Sequence, residues 1–297
     1  MKPQRWNPWK LCIVSTAWLA IISFVSCCHA TLVTDEDFLN WTVFYFITDD
    51  PFTPGPPPNL SSGGGQRLAS GGNPNAYHQF QHTFWPGDTS WVGAVKTDFS
   101  YDPATNGSIG TVSLTADLEF SSTASGTAAW QLVIEQGGVR YYSVPFNSMS
   151  QGGWRTVTIT NLSVTDFDTN PWAKTSGILP NGTGPNFTTN GLPLRFGFMF
   201  GNRVLFGSSS ITSTFGLDNF TVNIFQAPQL TLVRQSSPNA VKLIWPTNAS
   251  GYQLEFVDIL ATNVWTKATN VPVTVGTNFT VTANIIAANR FFRLRKP

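Results

Sequence analysis

The chain has 297 residues and is almost neutral, with 17 Lys and Arg against 16 Asp and Glu. Charged side chains make up only 11% of it and aromatic ones 13%, and 23 of the aromatic residues are Phe. That balance offers no basic patch for nucleic acid and no basic amphipathic helix for a membrane surface. It favours strands over helices.

Lys2, Arg5 and Lys10 precede an apolar run from Leu11 to Val25, broken only by Ser15, Thr16 and Ser23. Cys28-His29-Ala30 then puts small residues at the −3 and −1 positions of a cut after Ala30. This is the layout of a secretory signal peptide, and the run is short of the ~20 apolar residues that span a bilayer. Residues 1–30 are therefore expected to be a leader, and the mature protein to be secreted or periplasmic, with no membrane span after cleavage. Val25-Ser26-Cys27 also resembles the end of a lipobox, with Phe24 where Leu is usual, so a lipoprotein anchored at Cys27 is the second reading. Cys12, Cys27 and Cys28 are the only cysteines. A chain beginning at Thr31 would have neither disulfide nor thiolate metal site. It would carry 14 basic against 16 acidic residues.

Phe38, Trp41, Val43, Tyr45 and Ile47 predict a first strand. Pro51 to Asn75, with its PFTPGPPP and SSGGG runs, reads as a long loop. Tyr77, Phe80 and Phe84 lead to Trp85 and the turn Pro86-Gly87-Asp88. Further strands are expected at Trp91–Ser100 and from Ile109 to Phe120, joined by a turn through Tyr101-Asp102-Pro103 and Asn106-Gly107. Thr127–Glu135 and Val139–Val144 flank Gln136-Gly137-Gly138 as a hairpin. Trp154, Thr156 and Thr158 alternate with Val157 and Ile159, and the latter face is the one expected inside.

Gly191 to Phe225 reads as strand, loop and closing strand. Leu194, Phe196, Phe198 and Phe200 share one face, and Phe220, Val222 and Ile224 alternate again. The predicted architecture is all-β. A large antiparallel sandwich of jelly-roll type covers 31–226, and a small Ig- or fibronectin-III-like sandwich covers 227–297. Gln226-Ala227-Pro228-Gln229 is the linker between them.

Candidate chemistry is sparse. Asp117 and Glu119 share a strand face, as paired carboxylates do in jelly-roll glycosidases. The series Thr115, Asp117, Glu119, Ser121 lacks the third acid of those enzymes, so an outer strand face is the preferred reading. His78 and His82 share a face with Phe80 between them, and zinc would need more ligands, for which Asp88 and Asp98 are the nearest acids in sequence. Asp218-Asn219 is the weak metal candidate, with calcium as the cation, against the simpler reading of an Asx turn opening the last strand. Trp85, Trp91, Trp154 and Trp172 lie near turn-rich segments where an aromatic ring can stack on the apolar face of a sugar. No G-x-S-x-G or P-loop motif occurs.

Two resemblances add to this. Val241-Lys242-Leu243-Ile244-Trp245-Pro246, Gly251-Tyr252-Gln253-Leu254-Glu255, Val264-Trp265 and the ending Arg290-Phe291-Phe292-Arg293-Leu294-Arg295 resemble a module that closes secreted proteins of environmental Gram-negative bacteria. That implies a fibronectin-like accessory domain. Phe99 to Pro103 with Asn106-Gly107, Gln136 to Gly138 with Tyr141-Tyr142, Trp154, Asp166-Phe167, Asn186-Phe187, Phe196 to Phe198 and Asp218-Asn219 resemble an extracellular bacterial sandwich of laminin-G or carbohydrate-binding jelly-roll type.

The expectation is a secreted, non-catalytic binding protein for carbohydrate or a cell-surface polymer. Its ligand-binding residues would be Trp85, Trp91, Tyr101 and Asp102, with no cofactor unless calcium. The alternatives are a structural envelope or matrix protein and a jelly-roll glycoside hydrolase.

Overall fold

The computed structural model of the protein describes residues 30–48, 62–175, 178–204, 209–236, 239–247, 249, 251–260, 264–284 and 289–295. The leader with Cys27, the proline-rich run 51–58 and Asn248 fall outside them. The chain divides into two compact units, one over Ala30–Phe225 and one that holds Gln226–Pro297.

Thirteen strands of the first unit are described. They are β1 (Ala30–Asp35), β2 (Trp41–Thr48), β3 (Ser62–Gly72), β4 (Asn75–Phe84), β5 (Thr89–Lys96), β6 (Ile109–Ser122) and β7 (Thr127–Gln136). There follow β8 (Val139–Ser143), β9 (Asn147–Ser150), β10 (Gly152–Leu162), β11 (Phe167–Asp168), β12 (Leu194–Arg203) and β13 (Ile211–Gln226). One sheet runs β10-β6-β13-β4-β3, with β1 also on β13, and the other runs β11-β8-β7-β12-β5-β2, with β9 on β7. The inner faces of both meet in one apolar core. Phe200 of β12 stacks on Phe215 of β13 at 4.5 Å and tilts against Phe80 of β4 at 5.5 Å. The unit is thus a β-sandwich of jelly-roll type, and the period-two phenylalanines of β12 and β13 are the residues that join its two layers.

Glycines 63 to 65 lie in a strand, β3, where composition suggests a loop. The reason is steric. A Cβ on Gly63 would overlap the ring of Tyr45, and one on Gly65 would lie 2.8 Å from Nε2 of His78. β3 is an edge strand, and only a side chain-free backbone lets it close over those rings.

The long strand β13 changes partner halfway. It pairs with β4 up to Leu217 and with β1 from Phe220. Asn219 sits between, at φ 48°, in the left-handed region that Asn tolerates better than most residues. Asp218-Asn219 therefore lies inside a sixteen-residue strand, where the partner changes, rather than in an Asx turn at its start.

Buried Asp35 organises the start of the fold. It accepts the N–H of Phe38 at 2.7 Å, the N–H of Asp37 at 3.0 Å and the indole N–H of Trp41 at 2.8 Å. Lys96 of β5 completes it, with Nζ 2.5 Å from Asp35 and 2.8 Å from Asp98. The two carboxylates raise the Lys96 pKa against the opposing effect of its burial, which is the largest single influence.

In the second unit, β14 (Thr231–Arg234), β15 (Ala240–Pro246), β18 (Val273–Val275) and β19 (Asn278–Asn284) form one sheet, and β16 (Gln253–Val257), β17 (Thr266–Lys267) and β20 (Phe291–Arg295) form another. Val241, Leu243, Trp245, Leu254, Val281 and Phe292 fill the core. The sequence motifs of this unit meet by register. Leu254 pairs with Leu294 and Glu255 with Arg293, whose guanidinium sits 4.1 Å from the ring centroid of Trp265.

Candidate functional site

The two outer faces of the large sandwich differ. On the β5–β7–β12 side, Phe44, Trp91, Val95, Val133, Tyr142 and Met199 form a second apolar cluster. Phe146 and Trp172 close it from above, with Trp172 5.4 Å from Trp91 and 5.5 Å from Phe146. Arg140 covers the edge, 4.3 Å from the Phe44 centroid. Trp91 is fully buried there, so it packs and cannot stack on a ligand. Sequence periodicity made both faces of β5 apolar but could not tell a covered outer face from an open one.

Tyr101 is likewise a core residue, 1% exposed. Its hydroxyl donates to the carbonyls of Asn106 and Gly107 at 3.1 and 2.9 Å. Asp102 caps the short helix Pro103–Asn106 by accepting the Ala104 N–H at 2.9 Å. Tyr101 is thus buried as part of a turn, and Asp102 caps that turn while staying partly exposed. Of the four expected ligand residues, Trp85 is the one with an open ring, at 40% exposure, directly after β4.

The β3–β4–β13 face is open and polar. The pairings Ser62↔Thr83, Gly64↔Gln81 and Gln66↔Gln79 align with Thr83↔Thr212, Gln81↔Thr214 and Gln79↔Gly216. These nine outward positions form a three-by-three grid of hydroxyls, carboxamides and two glycines, with no ionisable side chain among them. Gln66 Nε2 donates to Gln79 Oε1 at 3.3 Å, Gln81 Nε2 to Thr214 Oγ1 at 3.4 Å, and the Thr83 and Thr212 hydroxyls meet at 3.1 Å. Gln66 and Gln81 each make one of these bonds and Gln79 a second, described below, so every carboxamide keeps donor or acceptor capacity that can face outward.

An aromatic pair ends the grid. Trp154 reaches from β10 so that its six-membered ring lies over Gly216, where a Cβ would overlap Cη2. Its Nε1 donates to the Gly71 carbonyl at 3.2 Å, and Tyr77 meets it edge-on at 5.3 Å. Gln79 donates to the Tyr77 hydroxyl at 3.2 Å. Burial raises the Tyr77 pKa, the hydrogen bond from Gln79 lowers it, and the Glu119 charge raises it further. From Tyr77 to Thr83 the face is ~20 Å long at the usual rise of a strand. A depression of about 330 Å³ lies over Gly64, bordered by Gln66, Gln79, Gln81 and Thr83.

Asp117 and Glu119 lie beside this face on β6, but Asp117 is buried and hydrogen-bonded rather than solvated. Asp117 accepts from the Thr156 hydroxyl at 2.5 Å, from Asn219 Nδ2 at 2.7 Å and from Asn73 Nδ2 at 3.2 Å. Asp218 accepts the backbone N–H of Asn73 on one oxygen and that of Asn219, at 2.7 Å, on the other. Burial raises its pKa, those two N–H groups lower it, and the charges of Asp117 and Glu36 raise it further. The pair staples the β3–β4 hairpin to the middle of β13. No group of three His, Cys, Asp or Glu able to hold a metal occurs among the described residues.

His78 and His82 point into the sandwich. Burial lowers their pKa values to about 4 and about 3, against a small opposing effect of Asp35 on His78. His82 Nδ1 lies 3.0 Å from the Ser90 hydroxyl, and both rings pack against phenylalanines.

No family model and no curated protein matches the chain. Solved structures do resemble it. A family 11 carbohydrate-binding module from Clostridium thermocellum, in complex with a β-1,3-1,4-mixed-linked tetrasaccharide, is 13% identical over 66% of this chain and 96% of its own, at a TM-score of 0.37. A tandem of two family 22 carbohydrate-binding modules from Paenibacillus barcinonensis Xyn10C is 9% identical over 92% of both chains, at 0.33. A β-1,2-glucanase from Parabacteroides distasonis is 10% identical over 88% of this chain and 35% of its own, at 0.31.

Proposed function

We propose that the chain is an exported, non-catalytic binding protein whose large sandwich holds a carbohydrate chain on the β3–β4–β13 face. The observation that carries this is Trp154 over Gly216 beside Tyr77, continuous with an uncharged grid of Gln and Thr side chains. An aromatic ring offers the apolar sugar face a stacking partner, while carboxamides and hydroxyls pair with sugar hydroxyls as both donor and acceptor. The engaged carboxylates of Asp117 and Asp218 favour binding over hydrolysis.

Affinity electrophoresis against linear and branched glucans, mannans and xylans tests the reading. Retardation by at least one polysaccharide, lost in Trp154→Ala, is the expected result. Absence of retardation by every polysaccharide overturns it, and release of reducing sugar would favour the glycosidase alternative.

A further inference from the structure

The depression over Gly64 is the part of this face that platform stacking leaves unexplained. Gly64 is the one outward position of its row without a side chain, and a Cβ built there meets nothing within 4 Å. Unlike Gly63 and Gly65, which must be small to clear Tyr45 and His78, Gly64 faces open space, so packing does not demand a glycine. The resulting hollow, about 330 Å³, lies at the small end of ligand sites. Gln81 and Gln66 border it with carboxamides and Thr83 with a hydroxyl, groups suited to a neutral, hydroxyl-rich guest.

The hollow is offset from the aromatic pair. Gly64 lies on β3 and Gly216 on β13, with β4 between them, so the two are separated by two strand spacings, ~10 Å. They also differ by one side-chain repeat along the strands, because Gly64 pairs with Gln81 and Gly216 with Gln79. A linear chain seated on Trp154 and running along β4 would pass beside the hollow, within reach of a side group on that chain.

We propose that the Gly64 hollow is a subsite for a single uncharged sugar branch, so that the ligand is a neutral polysaccharide carrying one-sugar side groups. This rests on the platform reading of Trp154 and Tyr77. Anionic side groups are disfavoured because the grid supplies no cation and Asp117 and Glu119 flank it on β6.

Calorimetric titration of the full chain with galactomannan against unbranched mannan, and with xyloglucan against an unbranched soluble β-1,4-glucan derivative, tests it. The wild type is expected to bind the branched member of at least one pair about tenfold more tightly. Gly64→Gln, which projects a side chain into the hollow from a position where a Cβ meets nothing within 4 Å, is expected to bring branched and linear affinities together while leaving the thermal midpoint unchanged. Gly64→Ser leaves most of the hollow open and should keep the preference. Equal affinities in the wild type, or a preference that survives Gly64→Gln, overturn the subsite while leaving the platform in place. Loss of binding in Trp154→Ala, with a preference kept in Gly64→Ser and lost in Gly64→Gln, supports both readings. If the wild type binds no polysaccharide, the platform reading falls and the subsite falls with it.

Discussion

Trp154 extends from β10 across the sheet to cover Gly216 of β13, and its indole N–H is fixed by the carbonyl of Gly71. The glycine is there because any larger residue would occupy the space of the ring. Gly216→Val should therefore displace Trp154 from the sheet. We expect about a tenfold loss of polysaccharide affinity, equivalent to ~1.4 kcal/mol, with native circular dichroism retained. Binding unchanged by the substitution would show that the ring's position does not matter to the ligand.

Trp91 supplies the contrasting case. It is fully buried between Gly201, Phe46, Phe146 and Trp172. Trp91→Ala should cost ~3–5 kcal/mol of stability, as large aromatic truncations in cores do, and leave the affinity of the folded fraction unaltered. Urea denaturation and titration of the same sample separate the two effects.

Stability should fall on acidification. Both buried histidines have folded-state pKa values below the ordinary 6.5, at about 4 and about 3. In that interval the unfolded chain takes up protons that the folded chain refuses. Their contribution is therefore complete above pH 6.5, declines as the pH falls, and levels off once the folded values are passed. Across its window His78 contributes on the order of 3 kcal/mol and His82 on the order of 5 kcal/mol. His78→Phe should flatten the slope between pH 6.5 and 4 in urea-melt series, and an unchanged slope would count against a neutral His78 in the core.

Asp35 and Lys96 are nearly inaccessible, with side chains 4% and 13% exposed. Asp35→Asn keeps the shape but leaves Lys96 with only Asp98 as a charge partner. A loss of ~3 kcal/mol is expected, the low end for breaking a buried pair. Chemical denaturation at pH 7 measures it, and a loss below 1 kcal/mol would mean that Asp98 and water replace the interaction.

The two-layer sandwich was legible in the alternation of Phe196, Phe198 and Phe200, and the inward face of Val157 and Ile159 was read correctly. The strand at Gly63–Gly65 was not, because composition reports propensity while that strand is specified by Tyr45 of the other layer and His78 of the adjoining strand. The binding face was half visible. Gln79 and Gln81 alternate with His78, Phe80 and His82, which already places two carboxamides outward. What no single segment contains is register: Gln81 opposite Gly64, Gly216 beneath a ring sixty-two positions earlier in the chain. Trp91 and Tyr101 were misplaced for a related reason, since a turn-proximal aromatic residue looks alike whether a later loop covers it or not.

If Trp154 is the platform on which a polysaccharide chain rests, its loss must weaken binding more than the loss of exposed Trp85. Side-by-side calorimetric titration of wild type, Trp154→Ala and Trp85→Ala with the best-retarding polysaccharide decides this. The expected result is at least a tenfold weaker complex for Trp154→Ala at an unchanged fold, and a smaller effect for Trp85→Ala. Affinity for Trp154→Ala equal to that of the wild type would rule the platform out.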